Sequence, residues 1–483
     1  MLMKLAVAVC GGLGELEQTQ TESERLAQVR LAELRRSEAD YRRLLAEQAN
    51  RPDLLGQLAA LLHQTGRTEE AIAALHRAII VEPGCPDHRY ALGMLHSERG
   101  KIRQSATCFE QALALDPKHA AACLQLGDSL MDLHEYDRAL AAYRHALTLR
   151  VPFPEAHNNL AGALLRLGDT HSAIAECRQA LVERPEYVLA LNTLGAALGK
   201  VGLLEEAIAV LRQAISLRHA YANAHHNLGN VLDQAGRVDE AKQAYHAALT
   251  FNPTLEEARY NLAALGDMPP LPSTPHSYLL RLFDSYAPSF DQHLVDALDY
   301  VVPEKLYEAV LAARPKAAAL NVIDLGCGTG LVGQHFRGVV GRLTGIDISA
   351  RTMQWAERRS IYDQLVLGDY VDYLSKRHEP CDLVLAADVF IYAGDLLAVF
   401  LAVGRLLRPG GLFAFSLEAT SQADYVLQPN RRYAHSLGYI HRLARQTNLH
   451  EVAVNSVKLR RQGEEHAAGL IVVLRSDGFH GGR

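Results

Sequence analysis

The sequence predicts two architectures in one chain: an array of paired α-helices, followed by an α/β domain with a doubly wound, mostly parallel sheet. Three observations predict it. A leucine recurs every 34 residues from Leu58 to Leu262. Four prolines fall within the ten residues Gly266–Pro275, where no helix can continue. Beyond them, apolar runs of strand length alternate with helical patterns.

The first of these sets the array. Leu58, Leu92, Leu126, Leu160, Leu194, Leu228 and Leu262 are each followed by a small residue: Ala59, Gly93, Gly127, Ala161, Gly195, Gly229 and Ala263. A second small series follows (Ala71, Ser105, Ala139, Ala173, Ala207, Ala241), and a third is alanine throughout (Ala78, Ala112, Ala146, Ala180, Ala214, Ala248). Small residues at fixed offsets let two helices of a unit cross closely. Gly66, Gly100, Gly168, Gly202 and Gly236 mark the turn between them, where a left-handed residue is needed. Pro83, Pro117, Pro185 and Pro253 end the second helix, with Val151 and His219 at the two equivalent positions that lack proline.

This register resembles the tetratricopeptide repeat, with six units over 52–255 and a closing helix to about residue 266. The resemblance implies a right-handed superhelix whose concave groove holds extended peptide. Gln125, Asn159, Asn227 and Asn261 each precede one of the leucines, and the series is similar to the asparagine ladder of O-linked N-acetylglucosamine transferase. Such amides offer both donor and acceptor to a peptide backbone; they serve equally to link neighbouring helices. Residues 15–50, rich in Glu, Arg, Leu and Ala, read as an amphipathic helix covering the first repeat's apolar face. The expected domains are therefore an extension over 1–51, the array over 52–266 and the α/β domain over 267–483.

In the α/β domain the runs "LNVIDL", "LTGIDI", "QLVLGD", "CDLVLAAD" and "GLFAFSLE" read as strands, with ligand expected outside their carboxyl ends. "VIDLGCGTGLVG" at 322–333 runs from strand through Gly326, Gly328 and Gly330 into an apolar helix start, so a ligand can lie against bare backbone. Gly328, Gly330 and Gly333 also satisfy the spacing of a dinucleotide-binding loop. Asp324, two residues before the first glycine, disfavours pyrophosphate and suits a cationic amino-acid ligand. Asp347 ends the next strand, where a carboxylate can take both hydroxyls of a ribose. Asp369 follows the third strand at the height of an adenine, and Asp388 and Tyr392 follow the fourth.

This order, with the "RPGG" turn before the fifth strand, resembles the class I S-adenosylmethionine-dependent methyltransferases, and in particular bacterial predicted methyltransferases that carry tetratricopeptide repeats. The resemblance implies a Rossmann-like, seven-stranded domain with S-adenosyl-L-methionine as cofactor. It implies cofactor contacts from Asp324, Gly326, Cys327, Gly328, Thr329, Gly330, Asp347, Ile348, Gly368, Asp369, Tyr370 and Asp388. It places Tyr286 and Phe290 over the cofactor and Asp291 near it. Candidates facing the acceptor are Tyr392, Tyr286, Asp388 and His435, although a histidine in the last position is more often packed or on the surface than catalytic. Arg431 and Arg432 suit an anionic acceptor or plain solvation.

Composition bounds the rest. With 49 Lys+Arg against 55 Asp+Glu, the net charge of −6 gives no footprint for nucleic acid, and "KLRR" at Lys458–Arg461 reads as a solvated strand end. The seven cysteines stand singly, which argues against a disulfide framework or a zinc site and for a reducing compartment. The leading apolar run Leu5–Val9 is too short for a signal peptide, and no run approaches the roughly 20 residues of a membrane span, so the chain reads as cytoplasmic. The expected function is methyl transfer to a small molecule or a protein, with the repeats recruiting a protein or peptide. The alternative is a scaffold whose methyltransferase-like domain is catalytically silent; a dehydrogenase is disfavoured by Asp324.

Overall fold

The computed structural model describes residues 33–286, 300–462 and 465–477. The chain forms two compact units, Met1–Ala163 and Leu164–Arg483. The division falls inside the helix Pro154–Leu167, not at the proline break.

In the first unit, residues 33–47 are helical and pack Tyr41 and Leu45 on Leu54, Leu55 and Leu58 of the first repeat. The remainder of the expected leading helix, 15–32, lies outside the described residues. Helix pairs follow: Pro52–Gln64 with Thr68–Val81, Pro86–Glu98 with Ile102–Leu115, and Ala120–Asp132 with Tyr136–Leu149. Where the small residue after the leucine is glycine, it faces a large side chain sixteen positions on. A Cβ added to Gly93 would sit 2.6 Å from Phe109, and one on Gly127 only 2.4 Å from Tyr143. The turn glycines have left-handed backbone, and His134 takes the same conformation, φ 60°, where the third turn has no glycine.

In the second unit the array continues through Thr170–Glu183, Val188–Lys200, Leu204–Leu217, Ala222–Gln234, Val238–Phe251 and the closing helix Glu256–Ala264. These repeats pack with the α/β domain as one unit, and the contacts are specific. Tyr260 donates its hydroxyl to Arg431 O (2.6 Å), and Arg431 Nε donates to Asn261 Oδ1 (2.8 Å) while Nη2 bonds Asp233. Glu257 accepts from Ser277 Oγ (2.6 Å) and from Arg281. The proline stretch is no free linker. Pro272 O accepts from Gly394 N and Asp395 N, both at 2.9 Å, and Thr274 N donates to Tyr392 O at 2.9 Å.

Among the described residues, nine strands form the sheet: β1 Leu320–Leu325, β2 Val340–Asp347, β3 Gln364–Leu367, β4 Cys381–Ala386, β5 Leu407–Ala419, β6 Tyr425–Leu427, β7 Tyr433–His435, β8 Leu449–Gln462 and β9 Glu465–Ser476. The order β3-β2-β1-β4-β5 is parallel throughout; β9 pairs antiparallel with β5, and β8 with β9. Those seven strands form the expected Rossmann-like frame. The hairpin β6–β7 is an addition, with β7 parallel to the last residues of β5. Successive residues face opposite cores. Val322, Leu383 and Leu412 pack against Val310 and Phe336, while Ile323, Val384 and Phe413 pack against Phe390 and Phe400. Burial on both faces is why β1, β4 and β5 read as continuous apolar runs. Among the described residues, no helix is long and apolar enough to cross a membrane.

Candidate active site

A cleft of about 720 Å³ opens at the carboxyl ends of the parallel strands. Its size is that of a small-molecule site. At the end of β1 the chain turns through Gly326 (φ 61°) and Gly328 (φ 53°). A side chain on Gly326 would also strike Val389, with Cβ 2.7 Å from Cγ2. The loop thus presents bare backbone because both conformation and space require glycine.

Asp347, at the end of β2, holds the loop from the neighbouring strand. Its Oδ2 accepts from Gly328 N (2.9 Å) and its Oδ1 from Ser349 N (2.9 Å) and Thr352 Oγ1 (3.1 Å). Burial pushes its carboxyl up, against the pull of those donors. Asp369 caps the helix Tyr370–Lys376, accepting from Val371 N and Asp372 N, and its other oxygen pairs with His276 at 3.3 Å. Cys327, Thr329, Ile348, Gly368 and Tyr370 line the same part of the cleft.

Asp324 and Gly330 do not line it. Asp324 lies beneath the loop, 1% exposed, with Oδ2 accepting from Tyr362 (2.7 Å) and Oδ1 buried without a partner. Desolvation raises its pKa to about 7. Bare loop backbone, an acid at the β2 end and an unsatisfied buried carboxylate beneath fit a nucleoside whose amino-acid arm carries a positive charge.

The other half of the cleft is formed after β4. Asp388 has left-handed backbone (φ 54°), a strained conformation for a residue with a side chain. Ser416 fixes it, accepting from Asp388 N (2.8 Å) and donating to its Oδ1 (3.0 Å). Arg460 bonds Asp388 Oδ2 with one amino group and Glu418 with the other. Tyr392 follows on a 3-10 turn, its ring edge-on to Phe283 at 5.4 Å, and burial pushes its hydroxyl up to about 12. Arg432 completes the wall, with Nη1 3.6 Å from Glu418.

Several expected positions need correction. His435 is fully buried on β7, its Nε2 against Gly394 O (3.1 Å) and its ring stacked on Tyr439, and it does not line the cleft. Desolvation holds its pKa near 4, so it is a neutral packing residue. Arg460 is 2% exposed, no solvated strand end. Asn261 is buried, its amide engaged by Asn230, His226 and Arg431. Asn159 donates to Asp128 (2.8 Å) and Asn227 to Asn192 (2.9 Å), so these amides link neighbouring repeats, while Gln125 is half-buried. Tyr286 ends the helix His276–Tyr286; its side chain, Phe290 and Asp291 lie outside the described residues.

Comparison with known proteins follows the same division. A methyltransferase-domain family model matches residues 323–415. Tetratricopeptide-repeat models match 26–88, 90–123, 124–188, 202–236 and 222–255. A malonyl-(acyl-carrier protein) O-methyltransferase of Yersinia pestis is 30% identical over 103 residues, 21% of this chain and 38% of that protein. A ubiquinone biosynthesis O-methyltransferase of Thiobacillus denitrificans is 29% identical over 119 residues, 24% of this chain and 51% of its own. The chain thus spans about half the length or less of these two curated relatives. Among solved structures, YrrB, described as a TPR protein with an unusual peptide-binding site, is 19% identical with a TM-score of 0.32, over 38% of this chain and 95% of its own.

Proposed function

We propose, from the premise that this chain joins a tetratricopeptide repeat array to a class I methyltransferase domain, that it transfers the methyl group of S-adenosylmethionine to an oxygen of an acceptor bound beside Tyr392. The observation that carries the reading is the division of one cleft. The bare glycine loop with Asp347 and Asp369 lies on one side, and Asp388, Tyr392 and Arg432 on the other. Both curated relatives are named O-methyltransferases, which supports oxygen as the receiving atom.

The cofactor, when bound, supplies a methyl group on a sulfonium, already joined to a good leaving group. The chain's task is therefore alignment and exclusion of water. The backbone of Gly326, Cys327, Gly328 and Thr329 would hold the amino-acid arm, with the Asp324 charge beneath. Asp347 would take the ribose, and Ile348, Gly368, Asp369 and Tyr370 the base. Phe283, with Leu279 and Leu282, closes the cleft from the helix His276–Tyr286. Tyr392 would orient the acceptor by one hydrogen bond; a hydroxyl pushed up to about 12 stays protonated and donates.

For the repeats we propose recruitment of a protein or peptide partner. Gln125 and the exposed parts of Asn159 and Asn227 are candidate contacts; Asn261 is not, since its amide is already taken. Free cysteines at Cys85, Cys108, Cys123, Cys177, Cys327 and Cys381 suit a reducing compartment such as the cytoplasm.

Titration calorimetry on the full chain tests the cofactor assignment. S-adenosylhomocysteine should bind and NAD should not. Asp347→Ala removes charge-assisted hydrogen bonds of roughly 1.5–3 kcal/mol each, so affinity should fall tenfold or more. Unchanged affinity in that variant would sink the ribose assignment.

A further inference from the structure

We propose that Glu82, Cys85 and His88, at the turn from the first repeat into the second, form a site for a divalent borderline metal ion, zinc above all. The site belongs to the first unit and is independent of the transfer reading. A Glu82 carboxylate oxygen, Cys85 Sγ and a ring nitrogen of His88 lie within 4.8 Å of one another, and among the described residues no other such group converges as closely.

Local structure brings the three together. Glu82 follows the last turn of the helix Thr68–Val81, Cys85 is the N-cap of the helix Pro86–Glu98, and His88 stands in that helix's first turn. Cys85 N donates to Glu82 O across the turn (3.3 Å), while the Cys85 side chain caps no backbone N–H. Its sulfur is therefore not spent on the helix end. Two residues separate each ligand from the next, a spacing that zinc sites use. With one cysteine and two ligands of other types, such a site leaves no cysteine pair in the sequence.

The repeat register shows that these positions are exceptional. Where the first turn has His88, the later units carry Ala122, Ala156, Ala190, Ala224 and Ala258, all fully buried. Where it has Glu82 and Cys85, three later turns place an arginine over an aromatic ring: Arg150 on Phe153, Arg184 on Tyr187 and Arg218 on Tyr221. Room for the imidazole comes from Gly56, where a Cβ would stand 3.2 Å from His88 Nε2. Each later unit has a side chain at that position, from Tyr90 to Tyr260. His88 is 8% exposed, and its Nδ1 is buried without a hydrogen-bond partner. A buried ring with an unpaired nitrogen is costly as packing alone, and is accounted for as a ligand.

The donor set selects the ion. Thiolate, imidazole and carboxylate are the ordinary ligands of zinc, whereas calcium and magnesium take oxygen. Zinc holds them at roughly 2.0–2.3 Å, so donors around a tetrahedral ion stand about 3.3–3.7 Å apart. Rotation of the exposed Glu82 side chain supplies the closure required. Two anionic ligands outweigh the neighbouring guanidinium of Arg89, which bonds Pro83 O. The fourth position falls to water. An ion there would clasp the end of one helix to the start of the next.

The test is to titrate the full chain, stripped by a chelator and kept reduced, with Co2+ as a spectroscopic probe for zinc. The proposal expects a thiolate-to-cobalt charge-transfer band together with the visible bands of tetrahedral Co2+. Both should saturate at micromolar metal and be bleached by Zn2+. Cys85→Ser should abolish the charge-transfer band. Glu82→Gln should weaken binding roughly tenfold or more, since zinc sites lose that much even with an outer partner. Neither side chain is buried, so both variants should keep the parent's circular dichroism. His88→Ala, which restores the residue of the other units, should weaken binding as strongly. Zn2+ should slow amide exchange across residues 82–88 in the parent and not in Cys85→Ser. Absence of the charge-transfer band, a band that survives Cys85→Ser, or binding only at millimolar metal overturns the site.

Discussion

Arg460 stands on β8, where strict alternation would carry its side chain to the same face as the exposed Lys458. A register shift between Lys458 and Arg460 turns it inward instead, onto Asp388 and Glu418. A bulge of one residue leaves no mark in composition, so the sequence reads this basic run as solvated. Asp324 is the opposite case, legible as an acid before the glycines yet not in its state. Its pKa of about 7 lies above the ordinary 3.8. Unfolded chains therefore release this proton first, and stability falls as pH rises between about 4 and 7. Asp324→Asn should raise the melting temperature of the free protein at pH 8 and change it little at pH 4. At pH 8 the gain has a ceiling of roughly 4 kcal/mol. The same variant should bind S-adenosylhomocysteine more weakly. Thermal scans at the two pH values decide it: an equal effect at both would show that the charge is not what destabilises.

At the scale of elements, the array follows from the spacing of small residues against large ones. Gly127→Ala places a Cβ 2.4 Å from the buried Tyr143 ring. The change brings better helix propensity, about 0.5–1 kcal/mol, against overpacking of about 1–3 kcal/mol. A net loss is expected, readable as a lower denaturant midpoint; a stabilised variant would mean that the ring yields freely. The hairpin β6–β7 behaves differently, because its anchor is remote. Arg431 reaches Asp233 and Asn261 of the repeats while the adjacent Arg432 faces the cleft. Arg431→Ala should speed amide hydrogen exchange across residues 425–435. Arg431→Gly, which relieves the left-handed backbone at φ 63°, should do so equally if the side chain is the anchor. Protection retained in both variants would assign the hairpin's order to its own strand pairing.

At the scale of the whole molecule, the boundary expected at residue 266 cuts through packed contacts. Glu257, Tyr260 and Asn261 precede it, yet each bonds a residue of the α/β domain. A fragment of residues 267–483 should therefore melt lower, or aggregate more, than one of residues 168–483. Its hairpin would lose the partners of Arg431, and Ser277 and Arg281 would lose Glu257. Matching melting curves for the two fragments would restore the earlier boundary. Methyl transfer that needs the repeats even for a small acceptor then has a physical route, through Arg431 to Arg432.

The sequence by itself determined the repeat register, the strand order's glycine loop and the acids at the ends of β1, β2 and β3, because those depend on periodicity and on residues next to one another in the chain. Tertiary structure decided which of them face the cleft. Asp324 and Gly330 fall behind the loop, His435 is sealed by Tyr439, and Asn261 is taken by Arg431. Arg460 enters from β8, 72 residues after Asp388 in the chain. Each of those outcomes rests on partners distant in sequence, whose approach is fixed by packing and burial rather than by any local pattern.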